Sequence, residues 1–326
     1  MSPLAYAALG IILISTSSNL AAERQRHTPA LPSAQVTLSN GVYGANIGDP
    51  LETIQALWGP PNLLSNARFS TQIVMYGRSH FLIFGNNELA SIGTVNRFFS
   101  KDFTNLLSFD ERFDDIDWKV DNKYENGAEV TKLEASLLDE DKIISHNSTA
   151  NLTIYIDRML TDFQRKEKIY IQDYALESNV QEMQAKDALN SDIFAFLANR
   201  LNQPYAEFTI DEVPYAADFN AWVDQTSDLY VFGSHVIIKT TGTKVSRIYI
   251  YENIHLTDSP FYTQSNWSLG DYKQNMSFDS ALQLAGKNAF HFGDEIEITL
   301  QNATLKLYFY KQSGERQLYS SEILFH

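Results

Sequence analysis

One internal repeat limits what this chain can fold into more than any other feature. Residues 71–95, TQIVMYGRSHFLIFGNNELASIGTV, are tracked by residues 228–251, DLYVFGSHVIIKTTGTKVSRIYIY. Residues 151–176, NLTIYIDRMLTDFQRKEKIYIQDYAL, are tracked by residues 304–325, TLKLYFYKQSGERQLYSSEILF. These blocks alternate apolar and polar residues, the signature of strands with one buried face. A helical pattern precedes each block. Order of the type helix, sheet, helix, sheet, written twice, predicts an α+β fold of two tandem, duplicated domains, each of short helices packed on antiparallel sheet. The boundaries read as a signal peptide at 1–22, a linker at 23–39, a first domain at 40–177 and a second at 178–326.

Local chemistry supports that order. Asp49 reads as a helix N-cap with Pro50 at the first helical position, and Leu51, Ile54, Leu57 and Trp58 form one apolar face. Gly59 closes this helix, and Pro60 and Pro61 prevent its continuation. Gly85 with Asn86-Asn87 reads as a hairpin turn. Residues 126–138 read as a second helix capped by Asn126, with Glu129 three residues on. Residues 192–205 and 277–288 are their counterparts, the latter ending at Gly286.

Residues 4–14 are almost wholly apolar, and Ala22 precedes Glu23 as a plausible cleavage point, although no Lys or Arg precedes the run. The apolar stretch is too short to cross a bilayer, so no integral membrane span is expected after signal removal. The chain has no cysteine. That excludes disulfides, a thiol nucleophile, thiolate metal sites and a lipid-modified cysteine. An exported chain of this size without disulfides points to a bacterial periplasm, or to secretion by a bacterium. The net charge of −15 repels phosphate backbones and excludes nucleic acid as a partner.

The pairs Ser79-His80 and Ser234-His235 suggest chemistry at first sight. Neighbouring residues in a strand point to opposite faces, so each Ser is expected to be out of reach of its own His. The pair reads instead as a registration mark that aligns His80 with His235. No His-Glu-x-x-His occurs, and His291 beside Asp294 and Glu295 reads as a turn histidine. No P-loop or Gly-x-Gly-x-x-Gly occurs, and no cofactor or metal is expected. Residues 110–141 hold twelve acidic residues against four basic ones. The EF-hand pattern fails there, because Lys123 takes the third place counted from Asp121 as the first. Asp110, Glu111, Asp114, Asp115, Asp117 and Asp121 are therefore the candidate acidic patch for contact with another protein. Strand aromatics such as Leu307–Tyr310 should split between the core and an exposed aromatic face.

The stretch IGDPLETIQALWGPPN, followed by VMYG, resembles the helix–Gly-x-Pro–strand modules of the β-lactamase-inhibitor protein and of the small outer-membrane assembly lipoproteins of the SmpA/OmlA type. Gly48, Leu57, Gly59, Pro61 and Tyr76 occupy the module's places. The lipid-attachment cysteine of one family and the disulfide cysteines of the other are absent. The resemblance implies tandem α+β modules that bind proteins rather than catalyse reactions. The expected function is an exported, non-enzymatic protein-binding protein of inhibitor, immunity or envelope-assembly accessory type, with its oligomeric state open. The alternative is a periplasmic hydrolase acting on glycans with a carboxylate acid/base pair. A deep pocket with converging buried carboxylates separates the two.

Overall fold

A computed structural model describes residues 29–31, 35–37, 41–113, 119–120, 125–129, 138–139, 141–160, 167–179, 193–201, 203 and 207–326. In the first half these form β1 (Gln35–Thr37), β2 (Gly41–Val42), helix α1 (Leu51–Trp58), β3 (Leu63–Ser65), β4 (Thr71–Tyr76), β5 (His80–Gly85) and β6 (Glu88–Gly93). The short helix α2 (Lys101–Thr104) follows, then β7 (Lys119–Val120), β8 (Leu138–Asp139), β9 (Lys142–His146), β10 (Ala150–Leu160) and β11 (Glu167–Ser178). The second half runs from α3 (Ile193–Leu201) through β12 (Phe219–Trp222), β13 (Ser227–Phe232), β14 (Val236–Thr241) and β15 (Lys244–Ile250). It continues with β16 (Ser268–Leu269), β17 (Tyr272–Lys273), α4 (Phe278–Ala285), β18 (Ala289–Phe292), β19 (Glu295–Thr299), β20 (Ala303–Gln312) and β21 (Glu315–Phe325). Few short helices on a large antiparallel sheet make this an α+β fold.

Sixteen strands form one sheet in the order β18-β19-β20-β21-β15-β14-β13-β12-β3-β4-β5-β6-β11-β10-β9-β8. Read outward from the central β3–β12 contact, the two halves take their strands in the same order. The centre is antiparallel, with Phe219 opposite Ser65 and Ala221 opposite Leu63. Two main-chain bonds flank it: Trp222 N–H to the Asn62 carbonyl (2.8 Å) and Asn66 N–H to the Asp218 carbonyl (2.7 Å). The same two residues also hold turns. The Asn62 side-chain oxygen accepts from Gly77 N–H at 2.6 Å, and an Asp218 carboxylate oxygen accepts from Gly233 N–H at 2.6 Å. Bulges recur in kind: the extra residue is Ala90 in β6 and Ser246 in β15, and Gln172 in β11 and Tyr319 in β21.

These turns correct the reading of the Ser-His pair. Tyr76 pairs with His80 across Gly77-Arg78-Ser79, and Phe232 pairs with Val236 across Gly233-Ser234-His235. Both glycines sit at positive φ, 60° and 61°. Ser79 and His235 therefore hold matching places, and His80 matches Val236. The registration mark is one residue out. Ser79 lies in the turn rather than in the strand, and its hydroxyl reaches His80 Nδ1 at 3.0 Å, against the expectation from strand geometry.

Alternation along the strands divides the core into three. Val74, Tyr76, Leu82, Phe84 and Trp58 belong to a core on one face of the first half. Val236, Ile238, Ile248, Ile250, Leu305 and Leu307 form its counterpart in the second. The intervening residues Ile73, Met75, Phe81 and Ile83 face the other way and meet Leu229, Val231 and Ile237 from the second half. Phe98, Phe99, Phe103 and Phe261 cover this third core, which both halves share.

Other expectations were met in part. Helix α1 forms and Gly59 ends it at φ 83°, its N–H bonded to the Gln55 carbonyl at 2.8 Å. Asp49 does not cap it. Pro50 takes the cap position, while the Asp49 carboxylate accepts from Asn46 N–H at 2.7 Å and ties the preceding loop. Asn86 and Asn87 both adopt positive φ, as the hairpin reading requires. Asn126 caps no helix: its side-chain oxygen accepts from Ile171 N–H at 2.8 Å, and the Glu129 backbone forms an antiparallel β-bridge with that of Lys168. Residues 130–137 of that expected helix lie outside the described residues, as does the signal peptide. Residues 35–37, inside the expected linker, are a strand with Val36 buried.

Two predictions arise here. Gly93 of β6 lies so close to β11 that an added Cβ would sit 2.5 Å from the Tyr174 carbonyl oxygen. Gly93→Ala should cost about 1–3 kcal/mol by forcing the two strands apart, read as a lower urea midpoint. Asp218 is fully buried and binds Arg68 as well as Gly233 N–H, and Arg68 itself is 41% exposed. Asp218→Ala should cost about 2–3 kcal/mol, because a buried N–H is left unpaired while Arg68 turns to water. Asp218→Asn should cost about 1 kcal/mol, since Asn62 shows that an amide oxygen serves the matching N–H of Gly77. Equal losses in the two variants would refute the anchoring role.

Candidate functional site

In the second half the face opposite its core carries a row of large polar and aromatic side chains. Register places Phe290 opposite Glu297, Glu297 opposite Lys306, Lys306 opposite Glu322, and Glu322 opposite Tyr249. Directly paired residues point to the same face, so this row crosses five strands. Arg247, Tyr251 and Tyr308 share the face by alternation along their own strands. The charges are mutually satisfied. Lys306 Nζ binds Glu295 at 2.9 Å and Glu297 at 3.0 Å, and these bonds hold the ammonium above its ordinary pKa. Glu322 accepts from the Tyr308 hydroxyl at 2.8 Å and pairs with Arg247 at 3.0 Å. Burial and the Glu322 carboxylate raise the Tyr308 phenol, which keeps it a neutral donor. Tyr249 and Tyr251 stack at 6.1 Å with their planes 7° apart.

The matching face of the first half has small side chains at the places of Tyr249, Glu322 and Lys306. Thr153, Ala175 and Gly93 lie in one cross-strand row, with Glu177 opposite Ser91 beside it. Arg97 binds Glu177 at 2.5 Å at its margin. This flank is therefore low beside Gly93 and Ala175, with Tyr155, Asp173 and Lys142 standing beyond them. The other presents Tyr, Arg, Glu and Lys, with Tyr and Arg the residue types that anchor protein contacts.

The histidines fall into separate environments. His80 is fully buried among Tyr43, Phe113 and Tyr174 rings, the closest at 4.7 Å. Burial pushes its pKa down to about 3 in spite of the nearby Asp110 carboxylate. His255 is caged by Phe99, Phe219 and Phe261 in the shared core, and burial lowers it likewise to about 3. His235 Nε2 meets the Ser265 hydroxyl at 2.8 Å, and its Nδ1 meets the Tyr251 carbonyl at 3.1 Å. Ser234 binds Thr263 at 2.7 Å in the same cluster, which fastens the 259–267 segment over the turn. The imidazole is oriented by a main-chain carbonyl, with no carboxylate on Nδ1. His291 stands on β18 with its ring edge-on to Phe278 at 5.8 Å.

The acidic stretch divides. Asp110 faces inward and pairs with Arg112 at 2.6 Å, and Arg112 also donates to the Trp58 carbonyl at 3.0 Å at the end of α1. Glu111 is exposed. Asp114, Asp115, Asp117 and Asp121 lie outside the described residues. Among the described residues no group of three or more His, Asp or Glu is placed to hold a metal ion. Asp218 is the one buried carboxylate among them, and it is committed to Gly233 and Arg68. No helix among them is long and apolar enough to cross a membrane.

Fold and face together define a class: an α+β protein with an extended antiparallel sheet, one flank of which bears a half-exposed Tyr/Arg/Glu surface that begins at the edge of the third core. Comparisons with protein families, characterised proteins and solved structures returned no match. Sequence reasoning found the aromatic alternation in Leu307–Tyr310 but missed Arg247 and Glu322. Their signal lay in the pattern of residues 244–250, where Val245, Ile248 and Ile250 are buried and Arg247 and Tyr249 are not.

Proposed function

We propose that this chain is an exported periplasmic protein, built by duplication, that binds another protein through the half-exposed face of β15, β21, β20 and β19. An inhibitor, an immunity protein or an envelope-assembly accessory fits that description. One observation carries the reading: a cross-strand row of Tyr249, Glu322, Lys306 and Glu297, pre-ordered by its own ion pairs, that runs from the edge of the third core, where Tyr249 packs, out to a half-exposed sheet face. Side chains fixed before binding lose little entropy on contact. Support for duplication comes from the shared strand order and the matched Asn62 and Asp218 anchors. The apolar leader and the absence of cysteine support export. The glycan-hydrolase alternative needs two carboxylates facing each other across a cleft, whereas Glu295, Glu297 and Glu322 on this face are engaged by Lys306, Arg247 and Tyr308.

The test is crosslinking of the leader-free chain in its native envelope, with a Tyr249→Ala/Tyr308→Ala variant alongside. The expected result is a stoichiometric protein partner for the natural chain, with roughly thirtyfold weaker binding by the variant, the loss of one hot spot. A partner retained equally by both forms would remove this face from the reading. Ester turnover with fluorophosphonate labelling of Ser265 would replace the reading by a serine hydrolase.

A further inference from the structure

Strand β18, four residues long, ends the large sheet. It reads Ala289-Phe290-His291-Phe292, with no charge and no proline. Phe290 is 69% exposed and Phe292 is 81% exposed. Both lie on the half-exposed face, because they pair with Glu297 and Glu295, while His291 turns to the opposite face. The segment is nearly symmetric about His291: a small residue, Phe, His, Phe, then Gly293. Lys287 stands just before it and Asp294 just after it.

We infer that β18 pairs antiparallel with β18 of a second copy of this chain, across a two-fold axis through His291. A two-fold interface uses the same patch twice, so the patch must complement itself. This register does so. Each Phe290 falls opposite Phe292 of the other copy, and all four rings gather on one face. Each Lys287 is carried to the Asp294 end of the other copy, an attraction that parallel pairing lacks. A shallow, open depression beside Phe290 is lined also by Lys287, Thr299 and Leu300.

The contact is small. Two phenylalanines bury at most about 150–250 Å² each, below the ~800 Å² per partner of a standard interface. The dimer is therefore concentration-dependent, in the micromolar range or weaker. The net charge of −15 on each copy opposes it, so added salt strengthens it.

The test exploits the absence of cysteine. In a two-residue hairpin the closing pair, here Phe292 and Glu295, bonds inward, so Phe290 and Phe292 of the two copies meet as a non-hydrogen-bonded pair. The Cα separation of such a pair, about 4.5 Å, suits a disulfide. Phe290→Cys and Phe292→Cys chains are prepared separately, then mixed and oxidised. A crosslinked dimer should form in the mixture and in neither variant alone, because one Phe-Phe contact survives beside each new Cys-Cys contact. Sedimentation of the natural chain should show dimer rising with concentration and with salt, and Phe290→Asp/Phe292→Asp should stay monomeric with an unchanged melting temperature. Crosslinking of either variant alone at the mixture's rate would overturn the register. A natural chain that remains monomeric at every concentration would overturn the dimer.

Discussion

Between pH 7 and pH 5 the protein should lose about 4 kcal/mol of stability, before most carboxylates titrate. His80 and His255 are the cause. Each is fully buried among aromatic rings, and burial depresses each to about 3. In the unfolded chain both titrate near 6.5. Below that value the unfolded state takes up two protons that the folded state refuses. Their contribution is complete above pH 6.5 and is lost steadily as pH falls toward 3, at about 1.4 kcal/mol per unit for each ring. Urea midpoints measured at intervals from pH 7.5 to pH 5 would show this slope, and His255→Leu should roughly halve it. A flat profile across that window would mean that the rings are accessible to protons in the folded state.

Trp58→Ala should cost about 4 kcal/mol, the largest loss expected from a single core substitution. The indole has no exposed surface and touches Tyr43, Tyr76 and Phe113 at ring separations of 6.0, 5.0 and 5.3 Å. Its Nε1–H donates to the Tyr43 carbonyl at 3.0 Å. Truncation therefore opens a cavity and strands a buried carbonyl at once. Trp58→Phe keeps most of the volume and should cost about half as much. Denaturant curves at pH 7.5 separate the two. A similar loss in both would assign the effect to the hydrogen bond alone.

The elements that were legible in the sequence are those with local causes. The α1 helix stops at Gly59 because a left-handed residue and two prolines follow, and the Asn86-Asn87 turn needs only its own backbone. The pairing of β10 with β11 follows from two long alternating runs joined directly. Asp49 and Asn126 misled because polar caps are judged by spacing, whereas distant groups claim these side chains: a loop N–H for Asp49, strand β11 for Asn126. The Ser-His pair misled for a similar reason. Identity of letters suggested one register, and the turn glycines Gly77 and Gly233 set another. The half-exposed face was least legible, since Arg247 and Glu322 acquire meaning only once β21 is seen to lie beside β15.

The central seam has one more consequence. The third core is assembled from both halves, with Ile73, Phe81 and Ile83 on one side and Leu229, Val231 and Ile237 on the other. A half-length ancestor folded by itself would leave that apolar surface wet, and a twin placed across a two-fold axis would cover it. Under the proposed duplication, then, the ancestor was an obligate pair whose two outer flanks were identical by symmetry. Joining the copies in one chain lifted that constraint. One flank was left free to shrink to Ser91, Gly93 and Ala175 while the other grew Arg247, Tyr249 and Glu322, a division of labour that no symmetric pair of identical chains can reach.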